Sequence, residues 1–234
     1  MPDRRPVAVF AALELEAQPL VRQLPRSETI GPKIGIWEGD GMVIVVGGVG
    51  KVAAALATQF MHDAFKPRCV VAIGLAGALL DETTRGQVVV ATSAAQHDMD
   101  GRPLTSVRGV IPGLNLSTFT ADAPMAEKLL VAAKRSVENP RIVRSGLVVT
   151  GDQIVTSRSV RDAIARDFPD ALCVDMETAA VAQVAHQNGL PWAAVRVTSD
   201  SADETFNLEE VIDFGVSTAG ELFAQIIREI HQEL

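Results

Sequence analysis

The chain has 234 residues, of which 47% are apolar and only 4% aromatic, and its formal net charge is −8. Because it contains no Tyr, the small and branched aliphatic residues must fill the core, which favours an α/β protein with Val-rich buried strands. The negative charge argues against nucleic-acid binding, which needs Lys and Arg to face phosphate. We find no signal peptide and no membrane-spanning apolar stretch, so we expect a cytoplasmic protein that does not bind membranes. The two cysteines, Cys69 and Cys173, lie in apolar runs and are expected to be free thiols.

Short apolar runs bounded by turn residues predict eight β-strands, at 7–12, 33–37, 42–47, 69–74, 87–93, 141–150, 171–175 and 192–198. The segments between them predict helices at 50–65, 124–138, 159–167, 177–188 and 208–232. The predominantly β–α–β order predicts one α/β domain over residues 1–234, with a mixed, twisted β-sheet flanked by helices on both faces. Residues 97–121 are irregular and too long for an ordinary connection, which predicts a functional loop.

Acidic residues follow three of the predicted strands. Glu14 and Glu16 come after the first, Asp175 ends the seventh and Glu177 follows it, and Asp200 follows the eighth. Since ligands of open α/β sheets bind beyond the carboxyl ends of the strands, these side chains are candidates for a common site. Each acid could instead complement a helix dipole or cap a local turn.

Two glycine-rich segments, at 47–51 and 74–77, follow strands and are predicted to be turns where the backbone can approach a ligand. The first fits a dinucleotide-binding pattern, but the next strand has no acid at its end to hold a ribose. A phosphate-binding loop is also excluded, because Val45 and Val52 occupy two of its required positions. Neither the histidines nor the cysteines have metal-ligand spacing, so we expect no cofactor and no metal.

Motifs spread from end to end carry a resemblance to a known family. The most specific are VDMETAA at 174–180 and VRVTSD at 195–200, and shorter matches lie at 12–16, 48–55, 74–77, 97–100, 111–113 and 145–152. In these stretches the chain resembles the methylthioadenosine/S-adenosylhomocysteine nucleosidases of the nucleoside phosphorylase superfamily. The resemblance implies a nucleoside phosphorylase-like fold and hydrolysis of the N-glycosidic bond of an adenine nucleoside.

The same resemblance implies roles for three carboxyl groups. The acid at Asp200 is expected to protonate N7 of adenine, and the acid at Glu16 to activate the attacking water. Glu177 is expected to bind the ribose hydroxyls. Cleavage passes through a state with positive charge on the sugar and growing negative charge on the base, so a donor at the base and carboxylates near the sugar favour it.

Further substrate contacts are implied by the resemblance: Met176 beside the sugar, Ile154 and Val155 at the adenine, Val49 and Leu75 in the glycine segments, and Pro112 in a loop from a partner subunit. Glu210 stands where the family often carries an aromatic that covers the sugar, and Phe206 is near enough in the sequence to take its place. We expect Arg196 to hold Glu177 ionised through a bidentate contact, and Ser199 to orient Asp200. Ile154 replaces an aromatic that is usual in the family, which predicts weaker stacking on the base.

The acceptor and the exact substrate are left open by the sequence. The glycine segments carry Val49 and Leu75, and only Lys51 is cationic there, which favours water over phosphate as the acceptor. The alternatives are a phosphate-dependent purine nucleoside phosphorylase, a nucleosidase for a related adenine or futalosine nucleoside, and a non-catalytic nucleoside-binding protein. Because the enzymes that the chain resembles are usually dimers, we expect a homodimer.

Overall fold

The computed structural model describes residues 5–22, 24–27, 34–80 and 85–234. These residues form ten strands: β1 (Val7–Ala11), β2 (Arg26–Ser27), β3 (Gly35–Gly39), β4 (Met42–Val46), β5 (Cys69–Ala78), β6 (Val88–Gln96), β7 (Phe119–Thr120), β8 (Val143–Thr150), β9 (Ala171–Asp175) and β10 (Trp192–Asp200). They also form the α-helices α1 (Glu14–Val21), α2 (Lys51–Phe65), α3 (Ala123–Arg135), α4 (Arg158–Asp167), α5 (Thr178–Gln187), α6 (Leu208–Phe214) and α7 (Gly220–Ile230). A 3-10 turn, Pro140–Ile142, precedes β8, and a π-helical turn, Gly215–Ala219, joins α6 to α7.

The strands form one mixed sheet, part of which closes on itself. β5 is parallel to β1 on one side and to β10 on the other. From β10 the hydrogen-bonded ladder continues through β6, β8 and β9. β9 then returns to β5 through two antiparallel residue pairs, Gly77 with Val174 and Ala78 with Cys173. Five strands therefore form a ring, and β1, β4, β3 and β2 extend from it as an open arm.

Helices cover both faces of this sheet because alternate strand residues point to opposite sides. Val7 and Val9 of β1 belong to an apolar cluster with residues of α1, α3 and α7. Ala8 and Phe10 belong to a second cluster with residues of α2 and α5. The predicted fold class, a mixed α/β sheet with helices on both faces, is confirmed. None of the helices in the described part of the chain is both long and apolar enough to span a membrane.

Residues 74–77, predicted to be a turn, instead continue β5 as a strand. β5 pairs with β10, so that Arg196 lies opposite Gly74 and Asp200 lies opposite Gly77. A Cβ atom on Gly74 would lie 2.0 Å from Nη1 of Arg196, and a Cβ atom on Gly77 would lie 3.3 Å from Oδ1 of Asp200. These glycines therefore make room for side chains of the neighbouring strand, which is a known use of glycine inside a sheet.

Several other element predictions need correction. α1 was not predicted, because Pro19 inside it is a signal for the end of a helix. The long final helix predicted at 208–232 is divided by the π-helical turn into α6 and α7. The irregular segment predicted at 97–121 ends in the short strand β7. Of the strand predicted at 33–37, Lys33 lies outside the described residues and the strand begins at Gly35.

Candidate active site

Three elements of the sheet bring acidic side chains to one region. Glu16 lies in the first turn of α1 after β1, Glu177 precedes α5 after β9, and Asp200 ends β10. All three acids follow or end the carboxyl ends of strands, as expected, and β1 and β10 are both parallel to β5. β9 runs antiparallel to β5 and overlaps only its carboxyl end. Closure of the ring, and not strand direction, therefore brings Glu177 to the other two acids.

A cavity lies where these elements meet, and most of the predicted site residues line it: Glu16, Val49, Leu75, Ile154, Val155, Met176, Glu177, Ser199, Asp200 and Phe206. The cavity is also lined by Leu13, Leu208 and Val211, which were not predicted as site residues. Leu208 and Val211 are three residues apart in α6, so the helical period could have suggested that they share a face. Pro112 is exposed and is not among the lining residues of this chain. Arg196 lies behind the wall and has no exposed surface.

Glu16 is a buried carboxyl group held by backbone amides. Its Oε2 accepts hydrogen bonds from the backbone N–H groups of Ala12 (3.0 Å) and Leu13 (2.9 Å). Its Oε1 accepts one from the backbone N–H of Leu75 (2.9 Å). Burial raises the pKa of Glu16 above its ordinary value, while Arg196 and the three amides act in the opposite direction. The amides fix the carboxyl group at the cavity wall.

Asp200 has a different environment. The Ser199 hydroxyl donates a hydrogen bond to its Oδ2 at 2.7 Å, and the backbone N–H of Ala202 donates to its Oδ1 at 2.8 Å. The first of these is the contact that we expected for Ser199. Partial burial raises the pKa of Asp200, and the hydrogen bond from Ser199 only partly offsets this effect. Asp200 therefore keeps its proton to a higher pH than an exposed aspartate.

Arg196 makes its ion pair with a residue that the sequence analysis did not assign to it. Its Nε lies 2.8 Å from Oδ2 of Asp175 and 2.8 Å from the hydroxyl of Thr178. Its Nη2 lies 4.0 Å from Oε2 of Glu177, so the predicted bidentate contact with Glu177 is wrong. Asp175 also accepts a hydrogen bond of 2.5 Å from the hydroxyl of Thr150. Arg196 and Asp175 thus form a buried, hydrogen-bonded pair beneath the cavity.

Glu177 lies farther from the guanidinium of Arg196 than Asp175 does, so its interaction with this positive charge is weaker. The backbone N–H of Gly50 donates a hydrogen bond to its Oε1 at 3.0 Å. The pKa of Glu177 is raised from 4.5 to about 8. Burial is the main cause, Arg196 acts in the opposite direction, and the nearby carboxylates of Asp175 and Glu16 add to the increase. One guanidinium faces three carboxyl groups here, so the cluster retains a proton that separate carboxylates would release.

Lys51, the cation noted in the first glycine segment, is engaged with acidic residues at the rim. Its ammonium group lies 2.6 Å from Oδ1 of Asp98 and 3.9 Å from Oδ2 of Asp152. Its backbone N–H donates a hydrogen bond to Asp152 Oδ1 at 2.8 Å. Lys51 therefore joins the start of α2 to the loops that follow β6 and β8, and its charge is locally balanced.

A family model described as the phosphorylase superfamily matches residues 6–231, so the fold and the site define a protein of this class. A 5'-methylthioadenosine/S-adenosylhomocysteine nucleosidase of Anoxybacillus flavithermus is 30% identical over 97% of this chain and 99% of its own length. The chain belongs to the 5'-methylthioadenosine/S-adenosylhomocysteine nucleosidase family, which confirms the resemblance seen in its motifs.

Solved structures agree with this assignment. The crystal structure of the Neisseria meningitidis nucleosidase, in complex with methylthio-immucillin-A, matches with a TM-score of 0.89 and 32% identity, over 98% of this chain and 100% of the other. The Streptococcus pyogenes S-adenosylhomocysteine nucleosidase, in complex with 5-methylthiotubericidin, matches with a TM-score of 0.87 and 28% identity, over 98% and 97% of the two chains. The whole of the described fold is therefore shared with these nucleosidases.

The raised pKa of Glu177 predicts how stability depends on pH. A carboxyl group with a folded-state pKa above its unfolded value stabilises the fold fully below 4.5, and this contribution is lost as the pH rises through about 8. Glu177→Gln removes the titration, so the melting temperature of the variant should fall less over this range. A difference of several degrees is expected, since about 1 kcal/mol shifts the melting temperature of a chain of this size by roughly 2–4 °C.

The measurement is a series of thermal melts of ligand-free protein across this pH range. Glu127→Gln, a change at an exposed helical acid, is the matched control and should melt with the pH dependence of the unmodified protein. The quantity compared is the change in melting temperature per pH unit. A pH-independent loss of stability, caused by placing an amide beside Arg196, does not alter this slope. Identical slopes for the two variants would contradict the prediction.

Proposed function

We propose that this protein hydrolyses the N-glycosidic bond of 5'-methylthioadenosine and S-adenosylhomocysteine, releasing adenine and the corresponding thioribose. The observation that carries the proposal is the meeting of Glu16, Glu177 and Asp200 at one cavity, each with different hydrogen-bond partners. An acid at the base and carboxylates at the sugar are what this bond cleavage needs. The Anoxybacillus flavithermus and Neisseria meningitidis relatives are both named as nucleosidases for these two compounds, which supports the same substrates.

Asp200 is the proposed general acid. Its raised pKa allows it to carry the proton that N7 of adenine takes up as the bond to the sugar breaks. Ser199 and the N–H of Ala202 hold the two carboxyl oxygens, so the group is oriented before substrate arrives. Protonation of the base neutralises the negative charge that would otherwise build up on the leaving group.

Glu16 and Glu177 are the proposed carboxylates on the sugar side. Glu16 takes the proton from water as the water attacks the anomeric carbon, and its two oxygens are already fixed by three backbone amides. Glu177 accepts hydrogen bonds from the ribose hydroxyls. The Glu16 carboxylate lies near the developing positive charge of the sugar and stabilises it.

The remaining wall supports a substrate with an apolar 5' substituent. Leu208 and Val211 line the cavity together with Phe206, and a methylthio group would be buried among them. Glu210 pairs with Arg85 at 2.8 Å. Phe206 covers the sugar in this proposal.

Water, and not phosphate, is the proposed acceptor, because the nearby cations already form ion pairs with carboxylates of the protein. Lys51 is held by Asp98, and Arg196 is held by Asp175. The experiment is to incubate the protein with 5'-methylthioadenosine, with and without phosphate, and to identify the products. We expect adenine and free methylthioribose at the same rate in both. A phosphate-dependent rate with a sugar phosphate as product would instead identify a phosphorylase.

Cleavage of other nucleosides, such as a futalosine, is measured in the same assay. Hydrolysis of such a compound in place of methylthioadenosine would keep the chemistry and overturn the proposed substrate. Binding of methylthioadenosine without cleavage of any nucleoside would identify a binding protein.

Asp200→Asn tests the assignment of the acid. The amide keeps the shape of the side chain but has no acidic proton to give, so kcat should fall by about 10²–10⁴-fold while nucleoside binding is retained. Steady-state kinetics and calorimetric binding of adenine distinguish the two effects. Asp203→Asn, a change at a neighbouring acid that does not line the cavity, is the control and should keep most of the activity. Full activity in Asp200→Asn would remove this residue from the mechanism.

We also propose that the protein acts in the cytoplasm as a homodimer that pairs through α2. The side chains of Val49, Val52 and Leu56 are 47%, 81% and 62% exposed, which leaves an apolar patch at the start of this helix. Val49 also lines the cavity, so a partner on this patch would lie beside the substrate. Cys69 and Cys173 are buried free thiols, as is usual in a reducing compartment.

Charges placed on this patch should separate the subunits. We expect the double change Val52→Glu and Leu56→Glu to convert a dimer into a monomer in sedimentation velocity and to raise KM, because the cavity loses its neighbouring wall. Val131→Glu, at a partly exposed position on α3, is the control and should leave the dimer intact. A monomeric unmodified protein, or a dimer in the double variant, would contradict this interface.

A further inference from the structure

The surroundings of Glu16 indicate more than a general base. We infer that Glu16 fills an oxyanion-binding pocket, formed by the backbone N–H groups of Ala12, Leu13 and Leu75 and by the guanidinium of Arg196. By filling it, the Glu16 carboxylate keeps external oxyanions away from the acceptor position. This inference deepens the proposed function, and it also predicts anion binding that can be measured without any turnover.

The first part of the pocket is the set of backbone donors. Two N–H groups, from Ala12 and Leu13, converge on one oxygen of Glu16, and the N–H of Leu75 points at the other. The first two lie at the start of α1, where the helix dipole also favours negative charge. Converging backbone amides of this kind bind phosphate and carboxylate groups in many proteins.

The second part is the buried guanidinium. Nη1 and Nη2 of Arg196 are fully buried and have no hydrogen-bond partner among the described residues. The position of a Cβ atom on Gly74 would be 2.0 Å from Nη1 of Arg196 and 2.9 Å from Oε1 of Glu16. Nη1 of Arg196 and Oε1 of Glu16 therefore both lie beside the Cα atom of Gly74. Because this residue is glycine, the guanidinium can lie close enough to act on an anion at this point.

A protein carboxylate in such a pocket has a consequence for the reaction. Glu16 satisfies the three backbone N–H donors, and its carboxylate fills the space beside the guanidinium, so phosphate has neither free backbone donors nor room in this pocket. Water, which is small and neutral, needs no such pocket. Glu16 thus decides the acceptor by occupying the pocket as well as by taking the proton.

Truncation of Glu16 should empty the pocket and leave its donors unpaired. Glu16→Ala removes a CH₂ group and the carboxylate, so formate has room to bind in their place. Bound formate would take the proton from water as the water oxygen bonds to the anomeric carbon. The bond between that carbon and N9 breaks with its electrons going to adenine, and N7 takes the proton of Asp200. The reaction is thereby balanced with formate in the place of Glu16.

The experiment compares Glu16→Ala with Glu16→Gln, whose amide keeps the pocket filled. Both should lose about 10²–10⁴-fold in kcat, as expected for a missing general base. Sodium formate should raise the rate of Glu16→Ala by roughly tenfold or more, given that charge-assisted hydrogen bonds hold it. Formate should not raise the rate of Glu16→Gln, and sodium chloride at equal ionic strength should raise neither. Phosphate should compete with formate in Glu16→Ala.

Thermal melts give the readout that does not depend on activity. Formate and phosphate should raise the melting temperature of Glu16→Ala and not that of the unmodified protein or of Glu16→Gln. In the double variant Glu16→Ala/Arg196→Met this stabilisation should be lost, whereas chloride should leave all the melting temperatures unchanged. The folded state of each variant is checked by its circular dichroism spectrum.

The outcomes separate the two proposals. If the unmodified protein cleaves methylthioadenosine but formate neither stabilises nor activates Glu16→Ala, the oxyanion pocket is overturned and the proposed function stands. If the unmodified protein cleaves no nucleoside but formate stabilises Glu16→Ala alone, the pocket stands and the proposed function is overturned. Equal formate responses in Glu16→Ala and Glu16→Gln would also overturn the pocket.

Discussion

A single buried cation organises the functional region of this protein. Arg196 has no exposed surface, and an unpaired guanidinium in such a place would cost several kcal/mol, so the chain must surround it with anions. Asp175 supplies the direct ion pair, and Glu177 lies at the limit of contact. Because the Glu177 carboxyl group lies near both Arg196 and the other carboxylates, the charges of these neighbours alter its pKa. The site therefore behaves as one electrostatic unit.

The closed part of the sheet is what makes this unit possible. β5 and β10 are paired along most of their length, and this pairing sets Arg196 beside Gly74 and Asp200 beside Gly77. Both glycines leave space that side chains of β10 occupy. The short contact between β5 and β9 then closes the ring and adds Asp175 and Glu177. The proposed active site thus depends on β5, β9 and β10, whose order in the sheet differs from their order in the sequence.

The sequence predicted eight of the ten strands in the described part of the chain, most helices and the acidic residues at the strand ends, because apolar periodicity and local charge carry that information. It missed the two-residue strands β2 and β7, which are too short to show a period. It could not predict the route by which Glu177 reaches the site, since ring closure is a long-range property of the sheet. Gly74 was interpreted as a turn residue, because a glycine inside a strand has a local signal that resembles a turn. The partner of Arg196 was also wrong, because the choice between Asp175 and Glu177 is decided by tertiary distances of a few ångströms.

The start of α2 gives the protein an additional property. The N–H of Gly50 holds Glu177, the N–H of Lys51 holds Asp152, and the exposed Val52 and Leu56 lie within the next two turns of the same helix. The surface of α2 proposed above as the dimer interface is therefore joined to a carboxyl group of the cavity by one backbone hydrogen bond. In such a dimer, any effect of association on ligand affinity would be matched, by thermodynamic linkage, by an equal effect of the ligand on association. Substitutions on the exposed surface of α2 would then change assembly and ligand affinity together.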